Sequence, residues 1–135
     1  MLARATERFV GIPFVDRGRT RGGCDCYGLL RLVYEEAFGI LLPSLSDDYL
    51  TAQDREAVRH LISGKADPWH EVEEPDFLDG VVMSLKGVEC HVGMFAGKGL
   101  VLHTGMGVRV SRVDDIRRLT RLRVTRYMRH HAARA

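Results

Sequence analysis

The chain has 135 residues, 45% of them apolar and 28% charged, the make-up of one soluble globular domain with an ordinary core. No run of about 18 apolar residues exists, so no membrane span is expected. The net charge of +2 is too small to imply a nucleic-acid partner.

The chain opens MLARATERFVGIPFV, which carries charges and no apolar stretch before a small-residue cleavage site. No signal peptide is expected there, which implies a cytosolic protein or one carried elsewhere by an assembly. Residues 2–9 read as a short helix ending before Gly11. Ile12-Pro13-Phe14 reads as extended, because a residue before proline is pushed out of the helical region. Residues 16–23 hold three glycines and three arginines and read as a loop.

From Cys26 to Phe38 the apolar positions are Cys26, Leu29, Leu30, Val33, Tyr34 and Ala37. That is the stripe of a helix with one buried face. Asp25 is placed to cap its start and Gly39 to stop its end. Cys26 thus opens the buried stripe at the positive end of the helix. The count of three cysteines is odd, which argues against a disulfide framework and leaves room for a working thiol.

Leu41-Leu42-Pro43-Ser44 reads as a connector, and Gln53–Ile62 as a second helix ended by Gly64. Pro68 and Pro75 bracket a loop with the only tryptophan, Trp69. The period then changes. Short strands are expected at 81–84, 91–96, 99–104, 108–113 and 122–127. Helices first and strands after predict a single α+β domain over 1–135, with N-terminal helices packed on a central antiparallel sheet. Residues 113–135 read as a last strand and a basic tail. From Arg109 to Arg134 there are nine arginines against two acids, Asp114 and Asp115. That end reads as a solvated face, with an acidic partner as the alternative.

The turn at Ala96-Gly97-Lys98-Gly99 decides whether two histidines meet. Side chains alternate along a strand, so His91 and His103 share a face only if paired residue numbers sum to an even value. A three-residue turn satisfies this. Centred on Gly97 it sets the two opposite each other, and centred on Lys98 it sets them diagonal. A two-residue turn separates them.

A thiolate rather than a thiol attacks an acyl carbon. A helix N-terminus lowers the Cys26 pKa and a nearby imidazole takes its proton. On this reading His91 is the base, His103 fixes its ring, and the Cys26 backbone N–H donates to an oxyanion. The residues alone leave a second reading open, with Cys26 as core packing and the histidines as surface polar groups.

The motifs resemble those of the NlpC-type cysteine peptidases, papain-like bacterial cell-wall endopeptidases. The matching segments are Gly11-Ile12-Pro13-Phe14, Asp25-Cys26-Tyr27-Gly28, Leu42-Pro43, His91-Val92-Gly93-Met94-Phe95 and Leu102-His103-Thr104. The run from Gly23 to Leu29, with Leu42-Pro43 and Asp47-Asp48-Tyr49, is similar to phage-type members, including tail assembly proteins of the lambda K kind. The resemblance implies a papain-like NlpC-type fold. It implies Cys26 as nucleophile, His91 as base and His103 as the orienting residue, with no cofactor and no metal. The implied substrate is the peptide part of peptidoglycan, cut beside a D-isoglutamyl–diaminopimelyl type linkage. The implied setting is the host cytoplasm during phage assembly or the virion tail, with tail proteins as partners.

Two positions depart from the pattern. Many members carry tyrosine at Phe14, where the hydroxyl aids the oxyanion hole, and one lost donor costs about 3–4 kcal/mol of transition-state stabilisation. Tyr27 replaces a small serine beside the nucleophile, where members recognise the substrate's amine end, and Asp25 is a candidate contact there. These departures motivate a structural tail protein with a weak or vestigial site as one alternative. A papain-like amidase or acyltransferase is another. A zinc site built from Cys24, Cys26, Cys90, His91 and His103 is a third, although Cys-x-Cys is not the usual spacing.

Overall fold

A computed structural model of the chain describes residues 6–15, 18–42, 58, 69–104 and 107–134. The expected helix at 53–62 lies outside these apart from Val58, and Pro43, Asp47, Asp48 and Tyr49 also lie outside them. Thr6 and Glu7 are helical and residues 8–11 form a turn.

The glycine-rich segment, expected as a loop, instead folds as a small antiparallel hairpin, β1 (Arg19–Thr20) with β2 (Gly23–Cys24). It leads into helix α1 (Cys26–Phe38). Asp25 caps α1 by accepting a hydrogen bond from the Gly28 N–H at 2.8 Å. Gly39 ends it at φ 68°. There the Gly39 N–H donates to the Glu35 carbonyl at 3.0 Å and the Ile40 N–H to the Tyr34 carbonyl at 3.2 Å. These bonds satisfy carbonyls that a helix end otherwise leaves bare.

Six antiparallel strands follow: β3 (Trp69–Val72), β4 (Gly80–Leu85), β5 (Val88–Phe95), β6 (Leu100–Thr104), β7 (Val108–Arg112) and β8 (Arg123–His130). Their order across the sheet is β3-β8-β4-β5-β6-β7. Two findings correct the expected elements. Trp69 lies in edge strand β3 rather than in a loop, and Val113–Thr120 form a helix, α2, between β7 and β8. The C-terminal end is therefore not a solvated strand and tail throughout. Arg126 holds Glu89 through two hydrogen bonds, of 2.8 and 3.1 Å.

Period-two alternation divides the sheet's residues between two cores. On one face Val82, Val92, Met94, Leu102, Val108 and Met128 pack with the α1 stripe of Cys26, Leu29, Leu30, Val33 and Tyr34. On the other, Val81, Met83 and Val101 pack with Ile116 of α2. Trp69 and Tyr34 are buried packing residues, and Trp69 meets the ring of His130 edge-on at 5.1 Å. Pairing slips by one residue on both sides of Met83, leaving Cys90 of β5 and Thr125 of β8 as the extra residues of two bulges.

Candidate active site

Cys26 is the first residue of α1 and is fully buried. Its position is fixed by the segment before it. The Cys24 N–H donates to the Pro13 carbonyl at 3.0 Å, and the Val15 N–H donates to the Cys24 carbonyl at 3.2 Å. Phe14 is thereby threaded beside β2, pairing with Cys24. Gly28, one turn into α1, passes so close to the Gly18 carbonyl that any Cβ would collide with it. Arg21 ties the hairpin to α1, its Nε 2.9 Å from Oε2 of Glu36. Asp25 and Tyr27 are both fully buried. Asp25 is engaged as the cap, and Tyr27 belongs to the core rather than to an open surface.

The β5–β6 hairpin pairs Met94 with Leu102 and Phe95 with Val101. The sum is even and the turn is centred on Lys98. His103 therefore faces Gly93, and His91 stands diagonal to it on the same face, one of the two arrangements the sequence allows. Gly93 is required by this approach, since a Cβ there would lie 2.7 Å from the Leu102 carbonyl oxygen and 2.8 Å from Val101 Cγ1.

The two histidines open onto one cavity of about 320 Å³. Arg109 and Ser111 of β7 complete its sheet wall, and Ile116, Leu119 and Leu122 form an apolar wall opposite. His103 Nε2 lies 2.9 Å from Ser111 Oγ. The ring of His103 is thus held by Ser111, whereas the sequence has it fixing the ring of His91. Burial pushes the His91 pKa down to about 4, and His103 beside it acts in the same direction. Burial also pushes His103 down to about 4, helped by the charge of Arg109. Both rings are neutral at pH 7.

The structure thus brings His91 and His103 together. Among the described residues that line this cavity, Cys26 is not one. His91 lies across from Met83, and its strand neighbours Val92 and Met94 alternate to the face whose core also includes Cys26. Among the described residues no hydrogen bond reaches the His91 ring, and no group of three or more His, Cys, Asp or Glu side chains is placed to hold a metal ion. Arg109 and Ser111 were missed in the sequence. Their signal is parity again, because β7 pairs Arg109 with His103 and Ser111 with Val101.

A glycine-rich hairpin feeding a cysteine-headed helix, laid on an antiparallel sheet, defines an α+β domain. The chain belongs to the NlpC/P60 family, whose model matches residues 11–129. It is 26% identical over 113 residues to a gamma-DL-glutamyl hydrolase of Bacillus subtilis, covering 82% of this chain and 24% of that protein. It is 27% identical over 116 residues to a probable endopeptidase NlpC homolog of Haemophilus influenzae, covering 84% and 54%. The chain therefore spans about half or less of the length of these relatives. The solved NlpC/p60 domain of the peptidoglycan hydrolase SagA superposes with a TM-score of 0.57 at 22% identity, covering 84% of this chain and 87% of that one. At that identity the likeness establishes the fold.

Proposed function

We propose that this domain is a cysteine endopeptidase acting on the peptide part of peptidoglycan, at a D-isoglutamyl–diaminopimelyl type linkage. Cys26 attacks the acyl carbon, His91 takes the thiol proton and returns it to the leaving amine, and His103 positions His91. Water then releases the acyl group from Cys26. The observation that carries this reading is Cys26 as the first residue of a capped helix in a chain of the NlpC/P60 family. The relatives named as hydrolase and endopeptidase support it. The α1 N-terminus favours the thiolate and offers backbone N–H groups to an oxyanion.

Digestion of purified peptidoglycan, read by mass spectrometry, tests the proposal. Wild type is expected to release fragments cut at this linkage, and Cys26→Ala to release them at below about one-thousandth of that rate. Equal fragment patterns from both proteins would sink the peptidase reading.

A second reading is favoured by the full burial of Cys26 and by the lack, among the described residues, of a hydrogen bond to the His91 ring. In it the domain is a structural component with a vestigial site. Iodoacetamide separates the two, since an activated Cys26 alkylates faster at neutral pH than a free thiol and a shut-in one alkylates more slowly. The phage-tail setting rests on the resemblance at Gly23–Leu29, and co-sedimentation of the protein with tail particles tests it.

A further inference from the structure

We propose that the cavity between α2 and β7 binds an aliphatic group ending in a carboxylate, with Arg109 as the residue that holds the charge. Three observations carry this. The cavity, at about 320 Å³, lies within the size range of small-ligand sites. Its far wall carries the apolar side chains of Ile116, Leu119 and Leu122 beside Asp115 and Thr120, and Leu119 is 75% exposed. Arg109 stands on the sheet wall directly across from His103, and among the described residues no hydrogen bond or ion pair engages its guanidinium.

The other charged and titratable groups of the wall are Asp115, His91 and His103. Asp115 is the acid there, and Arg118 holds its Oδ1 at 3.0 Å. His91 and His103 are neutral at pH 7, as both titrate near 4. Among the described residues of the wall, Arg109 is thus a cation to which no acid is bonded. A planar guanidinium accepts a carboxylate through two parallel hydrogen bonds, while Ile116, Leu119 and Leu122 receive the methylene chain. For a peptide lying over the histidines, this selects a residue whose aliphatic side chain or terminus ends in a free carboxylate. The inference stands on the cavity alone and does not require Cys26 to be reactive, so it and the peptidase reading fail separately.

Hexanoate and its neutral twin hexanamide are the probes, titrated into wild-type protein while the ring resonances of His91 and His103 are followed by NMR. Hexanoate is expected to bind with a Kd on the order of millimolar, and hexanamide at least roughly fivefold more weakly. Carboxylate bound at Arg109 offsets the cation beside His103, so the titration midpoint of His103 is expected to rise with hexanoate and not with hexanamide. Arg109→Gln is expected to erase the preference for the acid and Arg109→Lys to keep part of it. Arg117→Gln, an exposed arginine of α2 outside the cavity wall, is expected to leave it intact. Equal binding of acid and amide, a preference that survives Arg109→Gln, or unmoved histidine resonances at about 50 mM probe would each overturn the proposal.

Discussion

His103 and His91 show how burial sets the chemistry available to a side chain. An imidazole in water titrates near 6.5, while both of these titrate near 4. The folded protein keeps them uncharged, so the unfolded chain binds more protons as pH falls from 6.5 toward 4. Stability from this source is present above about pH 6.5 and is lost as the medium is acidified toward 4, at about 1.4 kcal/mol per unit of depression. Thermal melts across this range should show a falling Tm for wild type and a flatter curve for the His91→Gln, His103→Gln double variant. An unchanged slope in the variant would remove the histidines from the acid response. A neutral His91 can accept a proton, but it gives no standing imidazolium to hold a Cys26 thiolate. The shared face of the two rings was legible because strand alternation depends only on parity. The place of Cys26 relative to them was not, since it depends on which sheet face α1 covers.

Helix α1 was legible from end to end, because its apolar stripe, Asp25 cap and Gly39 stop agree. Its anchoring is as local as its pattern. Gly28→Ala should raise helix propensity in isolation yet destabilise the protein, because the added methyl meets the Gly18 carbonyl where the hairpin crosses the helix. A loss of about 1–3 kcal/mol in urea unfolding is expected, and a neutral or stabilised variant would show that this crossing is loose. Helix α2 was not read from the sequence. It is only eight residues long, and of its apolar stripe Val113, Ile116 and Leu119 it fully buries Ile116 alone. Its signal lay in charge, with Asp114 and Asp115 in the first turn and Arg117 and Arg118 in the last, matching the helix dipole. Strand β3 was hidden differently. Trp69–Val72 is four residues long and acquires strand form by pairing with β8, some sixty residues later.

Across the whole molecule, the sheet is locked by a buried ion pair between distant segments. Asp79, before β4, is 3% exposed, and burial pushes its carboxyl above the ordinary range despite Arg129 beside it. Arg129 of β8 reaches its Oδ2 at 2.9 Å and its Oδ1 at 3.2 Å, and Asp76 at 3.0 Å. Arg129→Ala would leave that carboxylate buried without its cation, and a loss of about 3 kcal/mol is expected by denaturant unfolding. A loss below about 0.5 kcal/mol would mean that water already serves Asp79.

The order β3-β8-β4 also has a consequence in time. Strand β3 leaves the ribosome well before β8, yet among the described strands β8 is its sole neighbour in the sheet. Until β8 is made, the facing edges of β3 and β4 both stand open, a template for pairing with another nascent chain. Completion of this fold is therefore set by the arrival of its C-terminal strand, and ribosome-stalled chains ending before Arg123 should remain protease-sensitive at Trp69.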